Sequence, residues 1–286
     1  MHKIRVFLPP LMSLCWAGPA LALPAPADCN HAAEEDCVAT GHWNFSLSLG
    51  AGVRTNPLAN GRDIPLVVVP QFSFYGRRFF IDNLDLGFTV ADGAAGSLSL
   101  VATPGYDRVF FYHSDLQNLF VNGVSAAAAA PVGSVLVDRN SPGAAPYPSR
   151  ARKVTYLAGP EWTLEAHGIS GQIDVLHEVT GQNEGNEVRA AAAMALWQGV
   201  GSLKLNIGLT WKSAAIVNYY YGEPGGYRGG AALSPFVKLA YSRPLAGKWR
   251  LTAFLHHEHL GKSVRDSPIV EGDTVETVFV GAVYQF

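Results

Sequence analysis

The sequence has few charged residues and no long apolar run. Only 15% of its 286 residues are charged, whereas 48% are hydrophobic. Even so, no internal stretch reaches the ~18 consecutive apolar residues that a membrane-spanning helix requires. A chain that is apolar on average but never apolar over a long run is typical of strands in which apolar and polar residues alternate. The formal net charge is also small, at -2, so nothing in the composition indicates a nucleic-acid partner.

The N-terminus has the layout of a secretory signal peptide. Lys3 and Arg5 precede an apolar segment over residues 6–22, which ends in an A-L-A cleavage motif. We therefore predict a signal peptide over residues 1–22, with A-P-A at residues 25–27 as the alternative cleavage site.

Cysteine is scarce, which limits the possible disulfides and metal sites. Of the three cysteines, Cys15 lies in the signal peptide without the small preceding residue of a lipoprotein signal. The other two flank the segment D-C-N-H-A-A-E-E-D-C. The histidine and acids between them leave a metal site open, but an oxidising compartment favours a disulfide. We predict a periplasmic segment over residues 23–42 that contains a Cys29–Cys37 disulfide.

From Trp43 onward the sequence alternates with a period of two. Residues 43–54, W-N-F-S-L-S-L-G-A-G-V-R, alternate apolar and polar side chains throughout. This run is longer than the ~5–6 residues of most globular strands and close to the ~9–11 of a membrane strand. Leu203–Trp211 alternates most clearly, with Leu205 and Ile207 opposite Asn206. We predict an all-β protein, a transmembrane antiparallel β-barrel of about 12 strands over residues 43–286, with 10 strands as the alternative count.

The lengths of the connections support a barrel. Counted from the periplasm, every second connection should be short. The short ones are Gly76-Arg77, P-G-Y-D, Ala166–Gly168, Q-G-V-G and P-L-A-G, and the others include long loops near residues 114–152, 213–231 and 261–273. This assignment requires a short strand at Val109–His113.

The last eleven residues, E-T-V-F-V-G-A-V-Y-Q-F, alternate up to a terminal aromatic residue. Val278, Val280, Tyr284 and Phe286 share one face of such a strand. A G-x-x-Tyr-x-Phe ending is typical of the closing strand of a bacterial outer-membrane barrel. We therefore predict an integral protein of the Gram-negative outer membrane. Its assembly signal for the barrel-insertion machinery is Gly281, Tyr284 and Phe286.

Four separate blocks carry a family resemblance. They are G-R-R-F-F-I-D-N-L-D-L-G-F from residue 76, N-Y-Y-Y-G from residue 218, D-S-P-I-V from residue 266 and the final Y-Q-F. Together they resemble the MipA/OmpV family of outer-membrane proteins over most of the chain beyond Trp43. The most specific blocks fall in expected outer loops and comprise Asn218, Tyr219, Tyr220, Tyr221, Gly222, Ser267, Pro268, Ile269 and Val270.

The resemblance implies a non-enzymatic scaffold that links a murein-cleaving lytic transglycosylase to a murein synthase. Expected partners are outer-membrane lipid, the barrel-assembly machinery and murein-remodelling enzymes, without a cofactor. The Cys29–Cys37 segment and an alanine-rich loop near residues 126–130 depart from the family pattern.

Two alternatives rest on polar residues. The segment F-L-H-H-E-H, with Ser263 nearby, contains the groups of a barrel-embedded lipid hydrolase. Strand parity places His256 and Glu258 on one face and His257 and His259 on the other, so we predict no catalytic and no metal-binding residue. A small-solute channel is the other alternative, because the inferred lumen carries charges of both signs. A filled interior with compensated charges is favoured over an open pore. We expect the three tyrosines at 219–221 to form an aromatic girdle.

Overall fold

The fold is described by a computed structural model that covers residues 40–93, 96–112 and 152–286. The predicted signal peptide, the Cys29–Cys37 pair and nearly all of the loop at 114–152 lie outside these ranges. Twelve antiparallel strands form one closed barrel in which consecutive strands pair and the last strand returns to the first. The predicted fold class and strand number are therefore confirmed.

The strands are mostly long enough to cross a membrane. They are β1 (Trp43–Arg54), β2 (Ile64–Tyr75), β3 (Phe79–Asp82), β4 (Asp85–Gly93), β5 (Gly96–Pro104), β6 (Tyr156–Ala166), β7 (Ile169–Glu178), β8 (Asn186–Gln198), β9 (Ser202–Lys212), β10 (Ala232–Pro244), β11 (Trp249–His259) and β12 (Thr274–Gln285). A 3₁₀ turn (Tyr106–Phe110) follows β5, and the helices are α1 (Ala214–Tyr221) and α2 (Lys262–Arg265). In the described ranges, no helix has the length and apolarity needed to span a membrane.

The two ends of the barrel differ. The connections after β2, β6, β8 and β10 are short, and this end, which also carries Trp43 and Phe286, is called the turn end. The 3₁₀ turn, α1 and α2 lie at the opposite, loop end.

Alternation along each strand separates an outer apolar face from the interior. In β12, Val278 and Val280 are 46% and 52% exposed, whereas Phe279 between them is 1% exposed. In β9, Ile207 is 50% exposed and Asn206 is 9% exposed. The outer faces that the sequence pattern predicted are thus confirmed in both strands, and lipid is the solvent that suits them.

The predicted strand at Val109–His113 is wrong. Its described residues belong to the 3₁₀ turn and the two positions after it. Asp107, Val109 and Phe110 are all buried, which an alternating strand with one face in lipid would not produce. The total of twelve is still reached, because the stretch over residues 79–93 forms two strands, β3 and β4.

This short third strand leaves a seam in the barrel wall. β3 pairs with β2 only at Ser73–Tyr75, so among described residues the stretch from Ile64 to Gln71 has no strand neighbour on that side. Asn83, at a positive φ of 54°, ends the pairing. Its N–H donates to the Phe72 carbonyl over 2.8 Å, and its Oδ1 accepts from the Phe72 N–H over 3.1 Å. Two prolines on β2 are tolerated here because a strand edge without a partner needs no ladder donor.

Candidate functional site

The N-Y-Y-Y-G family block lies at the end of helix α1, in the mouth of the barrel. α1 ends at Tyr221, and the N–H of the following residue, Gly222, donates to the Asn218 carbonyl over 3.1 Å. Tyr220 and Tyr221 are each 1% exposed and belong to the apolar cluster at the loop end. The expected aromatic girdle is therefore wrong for these tyrosines, because the helix turns them inward instead of towards lipid.

A buried carboxylate joins α1 to the barrel wall. Asp107 of the 3₁₀ turn accepts a hydrogen bond from the Tyr221 hydroxyl over 2.7 Å. It also forms an ion pair with Lys212, whose Nζ lies 2.7 Å from Asp107 Oδ1. Burial raises the pKa of Tyr221, and the Asp107 carboxylate raises it further, so the hydroxyl stays protonated and donates. The Asp107 side chain thus links the 3₁₀ turn to both β9 and α1.

The D-S-P-I-V block contacts the N-Y-Y-Y-G block. Ser267 Oγ donates to the Tyr221 carbonyl over 2.6 Å, and Ile269 is 2% exposed in the same apolar cluster. The Ile269 carbonyl accepts from Ala59 N–H over 2.9 Å, and Val270 forms a bridge with Leu58. The structure therefore brings the two most specific blocks of the sequence together in one cap, which closes over the mouth.

Further contacts fix the same, C-terminal end of α1. Asn218 Nδ2 donates to the Gly229 carbonyl over 2.7 Å and its Oδ1 accepts from Gly229 N–H over 3.0 Å, which fastens the loop after the helix. Arg152 Nε donates to the Tyr220 carbonyl over 2.7 Å, and its guanidinium lies 4.0 Å from the centre of the Phe111 ring. Lys153 N–H donates to the Tyr219 hydroxyl over 2.8 Å. No sequence pattern indicated these contacts, because they join loops far apart in the chain.

Below the cap, charges on one side of the interior compensate one another. Arg189 Nε lies 2.6 Å from Glu187 Oε1, and both side chains are buried. Gln172 Nε2 donates to Glu161 over 2.9 Å and to Asp174 over 3.0 Å. Buried charges are tolerated when they are paired and hydrogen-bonded in this way.

An apolar layer crosses the interior nearer the turn end. The Phe254 and Phe279 rings stack with centroids 5.7 Å apart and pack against Ile64, Leu66 and Val69 of β2. Phe279 lies on a floor of glycines, since an added Cβ would come within 3 Å of this residue at Gly50, Gly52 and Gly281. Rings that cover strand glycines in this way stabilise curved sheets. The predicted filled interior thus agrees with this layer and with the cap.

The groups suggested for a hydrolase are not assembled. Ser263 Oγ donates to the Ala231 carbonyl over 2.9 Å in the cap. His256 faces the interior and packs 5.4 Å from the Phe236 ring. His257 projects to the opposite face, where its Nδ1 lies 2.5 Å from Glu276 Oε1. The separation by strand parity that the sequence predicted is therefore confirmed for these two histidines.

A family model described as MltA-interacting protein MipA matches residues 47–286. The chain belongs to the MipA family. It is an integral protein of the outer membrane. Because such barrels have short periplasmic turns and longer outer loops, the loop end of this MipA-family barrel faces outward and the turn end faces the periplasm.

Solved structures of outer-membrane proteins also align with the MipA-family barrel. Neisserial surface protein A shares 9% identity, with 85% of this chain and 97% of that chain covered and a TM-score of 0.24. The COG4313 outer membrane channel from Pseudomonas putida F1 shares 10% identity, with 88% and 98% covered and a TM-score of 0.39. The anion-selective porin from Comamonas acidovorans shares 10% identity, with 85% and 98% covered and a TM-score of 0.33. None of the curated proteins compared with the chain matches it.

Aromatic residues collect at the periplasmic end of the MipA-family barrel. Tyr284 lies between Trp249 and Phe286, with ring centroids 5.0 Å from each. Trp43 lies 5.2 Å from Phe74 on the neighbouring strands. Such rings anchor a barrel at the membrane interface. Of the three residues predicted as an assembly signal, Tyr284 and Phe286 touch each other, whereas Gly281 makes room for the Phe279 ring.

Proposed function

We propose that this MipA-family barrel is a non-enzymatic anchor that holds murein-remodelling enzymes at the inner face of the outer membrane. The observation that carries the proposal is the family match over residues 47–286, whose description is that of an MltA-interacting protein. The family resemblance adds the link between a lytic transglycosylase and a murein synthase.

The filled interior supports an anchor over a solute channel. Tyr220, Tyr221 and the Asp107–Lys212 ion pair occupy the outer mouth, and the stacked Phe254 and Phe279 rings cross the interior below. A barrel of twelve strands lies between side-chain-filled and openly porous barrels, so its side chains decide whether it conducts. In this chain the paired charges and the apolar layer favour a filled interior.

The hydrogen bonds in the cap support a non-enzymatic role. A serine nucleophile needs a base within hydrogen-bond reach, at about 2.6–3.2 Å. Ser263 donates instead to a backbone carbonyl, and His256 packs against an aromatic ring in the interior. The lipid-hydrolase alternative is therefore not favoured.

The periplasmic turns offer a surface for such partners. The turn after β2 carries the exposed Arg77 and Arg78, and the turn after β10 carries the exposed Lys248. Exposed cations at a rim speed association with an acidic partner surface more than they raise its affinity. We infer that murein enzymes dock on this face.

Site-specific photo-crosslinking in whole cells tests the anchor. We expect a photoreactive residue at Arg77 or Lys248 to crosslink a lytic transglycosylase or a murein synthase. The exposed Arg228 in the outer cap provides the matched control, and a photoreactive residue there should give no such product. Equal products from both ends, or none from the periplasmic turns, would contradict the anchor.

Conductance in planar bilayers tests the channel alternative separately. The purified barrel should give no stable conductance steps, because the interior is filled. Regular steps that persist after repeated purification would favour a channel for small solutes. The result does not depend on which enzymes dock at the periplasmic end.

A further inference from the structure

Three basic side chains form a row across the barrel interior. Arg54 of β1 pairs with Thr277 of β12, which pairs with His256 of β11, which pairs with Lys238 of β10. These residues share the inward parity of their strands, and Arg54 is 7% exposed. Adjacent strands lie about 4.8 Å apart, so long side chains from this row can converge towards the barrel axis.

The next row towards the periplasm is apolar. It runs through Gly52, Phe279, Phe254 and Ala240 on the same four strands. A basic row thus borders an apolar layer inside the barrel. This arrangement matches a ligand that has an anionic group beside an apolar part, or a small anion held above an apolar floor.

Arg54 and Lys238 of this row lack, among the described residues, an acidic partner of the kind that Arg189 and Lys212 have. Nε and Nη1 of Arg54 are buried and have no hydrogen-bond partner among the described residues. The Arg54 guanidinium lies 5.3 Å from the Phe110 ring, and the Lys238 ammonium lies 5.4 Å from the Phe254 ring. Within the described part of the chain neither cation forms an ion pair. Arg189 and Lys212, in contrast, are paired with Glu187 and Asp107.

Glu258 is the acidic residue of β11 that follows the row towards the loop end. It attracts Arg54 electrostatically, but the two residues do not form an ion pair. A buried cation without a bonded anion is strongly unfavourable unless another group satisfies it. Nε and Nη1 of Arg54, which have no partner among the described residues, therefore point to an additional ligand.

The seam in the barrel wall begins beside the row. Ile64 pairs with Arg54 on β1, and on its other edge β2 has no strand neighbour from Ile64 to Gln71 among the described residues. Within that part of the chain, no backbone ladder would have to break for side chains to part here. The inward side chains along this edge, Ile64, Leu66 and Val69, are apolar and would accompany an acyl chain better than a polar one.

We propose that Arg54, His256 and Lys238 bind an oxyanion group, a carboxylate or a phosphate, inside the barrel. The group has two possible sources, a free anion or the head of an amphiphile whose chain leaves through the seam. Charge-assisted hydrogen bonds from a guanidinium suit both chemistries. This site goes beyond the anchor role and does not depend on it.

Calorimetric titration of the mature protein in an uncharged detergent tests the site. The probes are inorganic phosphate for the free anion, laurate for the amphiphile and dodecanol as the uncharged match to laurate. We expect phosphate or laurate to bind and dodecanol not to bind. Arg54→Met and Lys238→Met should each weaken binding about tenfold or more, because each removes a charged partner of the oxyanion. Lys248→Met on an exposed periplasmic turn should bind as the unaltered protein does.

The phosphate and laurate titrations together identify whether the bound group is a free anion or the head of an amphiphile. Binding of phosphate indicates a free-anion site, and binding of laurate alone indicates an amphiphile that enters from lipid. Arg54→Met should also unfold at the same or a higher denaturant concentration without ligand, because an apolar replacement for an unpaired buried charge is neutral or stabilising. Failure of both probes to bind, or unchanged binding in both variants, would overturn the proposal.

Discussion

At the scale of single residues, alternation predicts which side chains face lipid, but it fails where the pairing register shifts. Strict alternation would put Ile64 and Leu66 on the same face as Phe72 of β2. In the structure both are fully buried and point inward. The register between β1 and β2 shifts between Leu49 and Gly52, so one parity cannot describe the whole of β2. A bulge of this kind leaves no mark in an apolar run such as L-V-V-V, and only pairing with the neighbouring strand shows it.

The two faces of β9 can be tested by placing the same residue, aspartate, on each of them. Ile207→Asp places a charge on the lipid side of the barrel and should destabilise it by on the order of 1–2 kcal/mol. Asn206→Asp, one residue earlier, places the same charge on the interior side opposite Lys238, which has no ion-pair partner among the described residues. That substitution should be neutral or stabilising. Reversible denaturant unfolding in lipid vesicles measures both, and equal losses would contradict the assigned faces.

A glycine covered by an aromatic ring gives a second prediction at this scale. An added Cβ at Gly87 would lie 2.0–2.4 Å from atoms of the Phe80 ring, its cross-strand neighbour. Gly87→Ala should therefore cost about 1–3 kcal/mol through overpacking.

The Phe80→Leu background is the control for that clash. Gly87→Ala should cost clearly less there, because the smaller side chain leaves room for the methyl group. Additive losses in the same unfolding assay would mean that the ring is not the obstacle.

At the scale of elements, the sequence predicts long strands well and short ones badly. β9 and β12 are recognisable from period two alone, whereas β3 has only four residues. The Asn83 turn lies inside an apparently continuous alternation, and its positive φ depends on contacts with β2. The 3₁₀ turn resembles a strand in sequence, but its apolar residues are buried by the cap and not by a sheet face. Elements that depend on tertiary contacts carry little local pattern.

The anchoring of the 3₁₀ turn to β9 is testable. Asp107→Asn leaves the Lys212 ammonium buried without its counter-charge and should cost about 3–5 kcal/mol. Replacing both residues together, as Asp107→Asn with Lys212→Met, should cost less than the single change, because the buried ammonium is gone and the asparagine oxygen still accepts from the Tyr221 hydroxyl. Unfolding in vesicles measures both variants. A double variant less stable than Asp107→Asn would show that the ion pair is not what joins these elements.

At the scale of the whole molecule, composition, alternation and the terminal aromatic residue predict an outer-membrane barrel of about twelve strands, and the resemblance of four sequence blocks adds the MipA family. The contact between the two loop blocks was not predictable. Tyr221 and Ser267 are 46 residues apart, and nothing local to either block names the other. The cap and the basic row exist only because barrel closure brings distant strands and loops together. The interior of a barrel is therefore harder to derive from sequence than its wall.

Assembly supplies the last prediction, and it separates recognition from stability. We propose that Tyr284 and Phe286 are read by the barrel-insertion machinery. Phe286 is 70% exposed, and its N–H donates to the Phe45 carbonyl over 3.0 Å. Deleting it removes one backbone hydrogen bond, worth about 1 kcal/mol, so the folded barrel should keep nearly all of its stability in vesicles. In cells the same deletion should lower the outer-membrane level several-fold and leave unfolded protein in the periplasm, whereas Phe286→Tyr should assemble normally. Immunoblots of separated membranes give the level, and heat-modifiable gel migration gives the folded fraction. An unchanged outer-membrane level would contradict the role of Phe286 in recognition, and so would a loss fully matched by lower stability in vesicles.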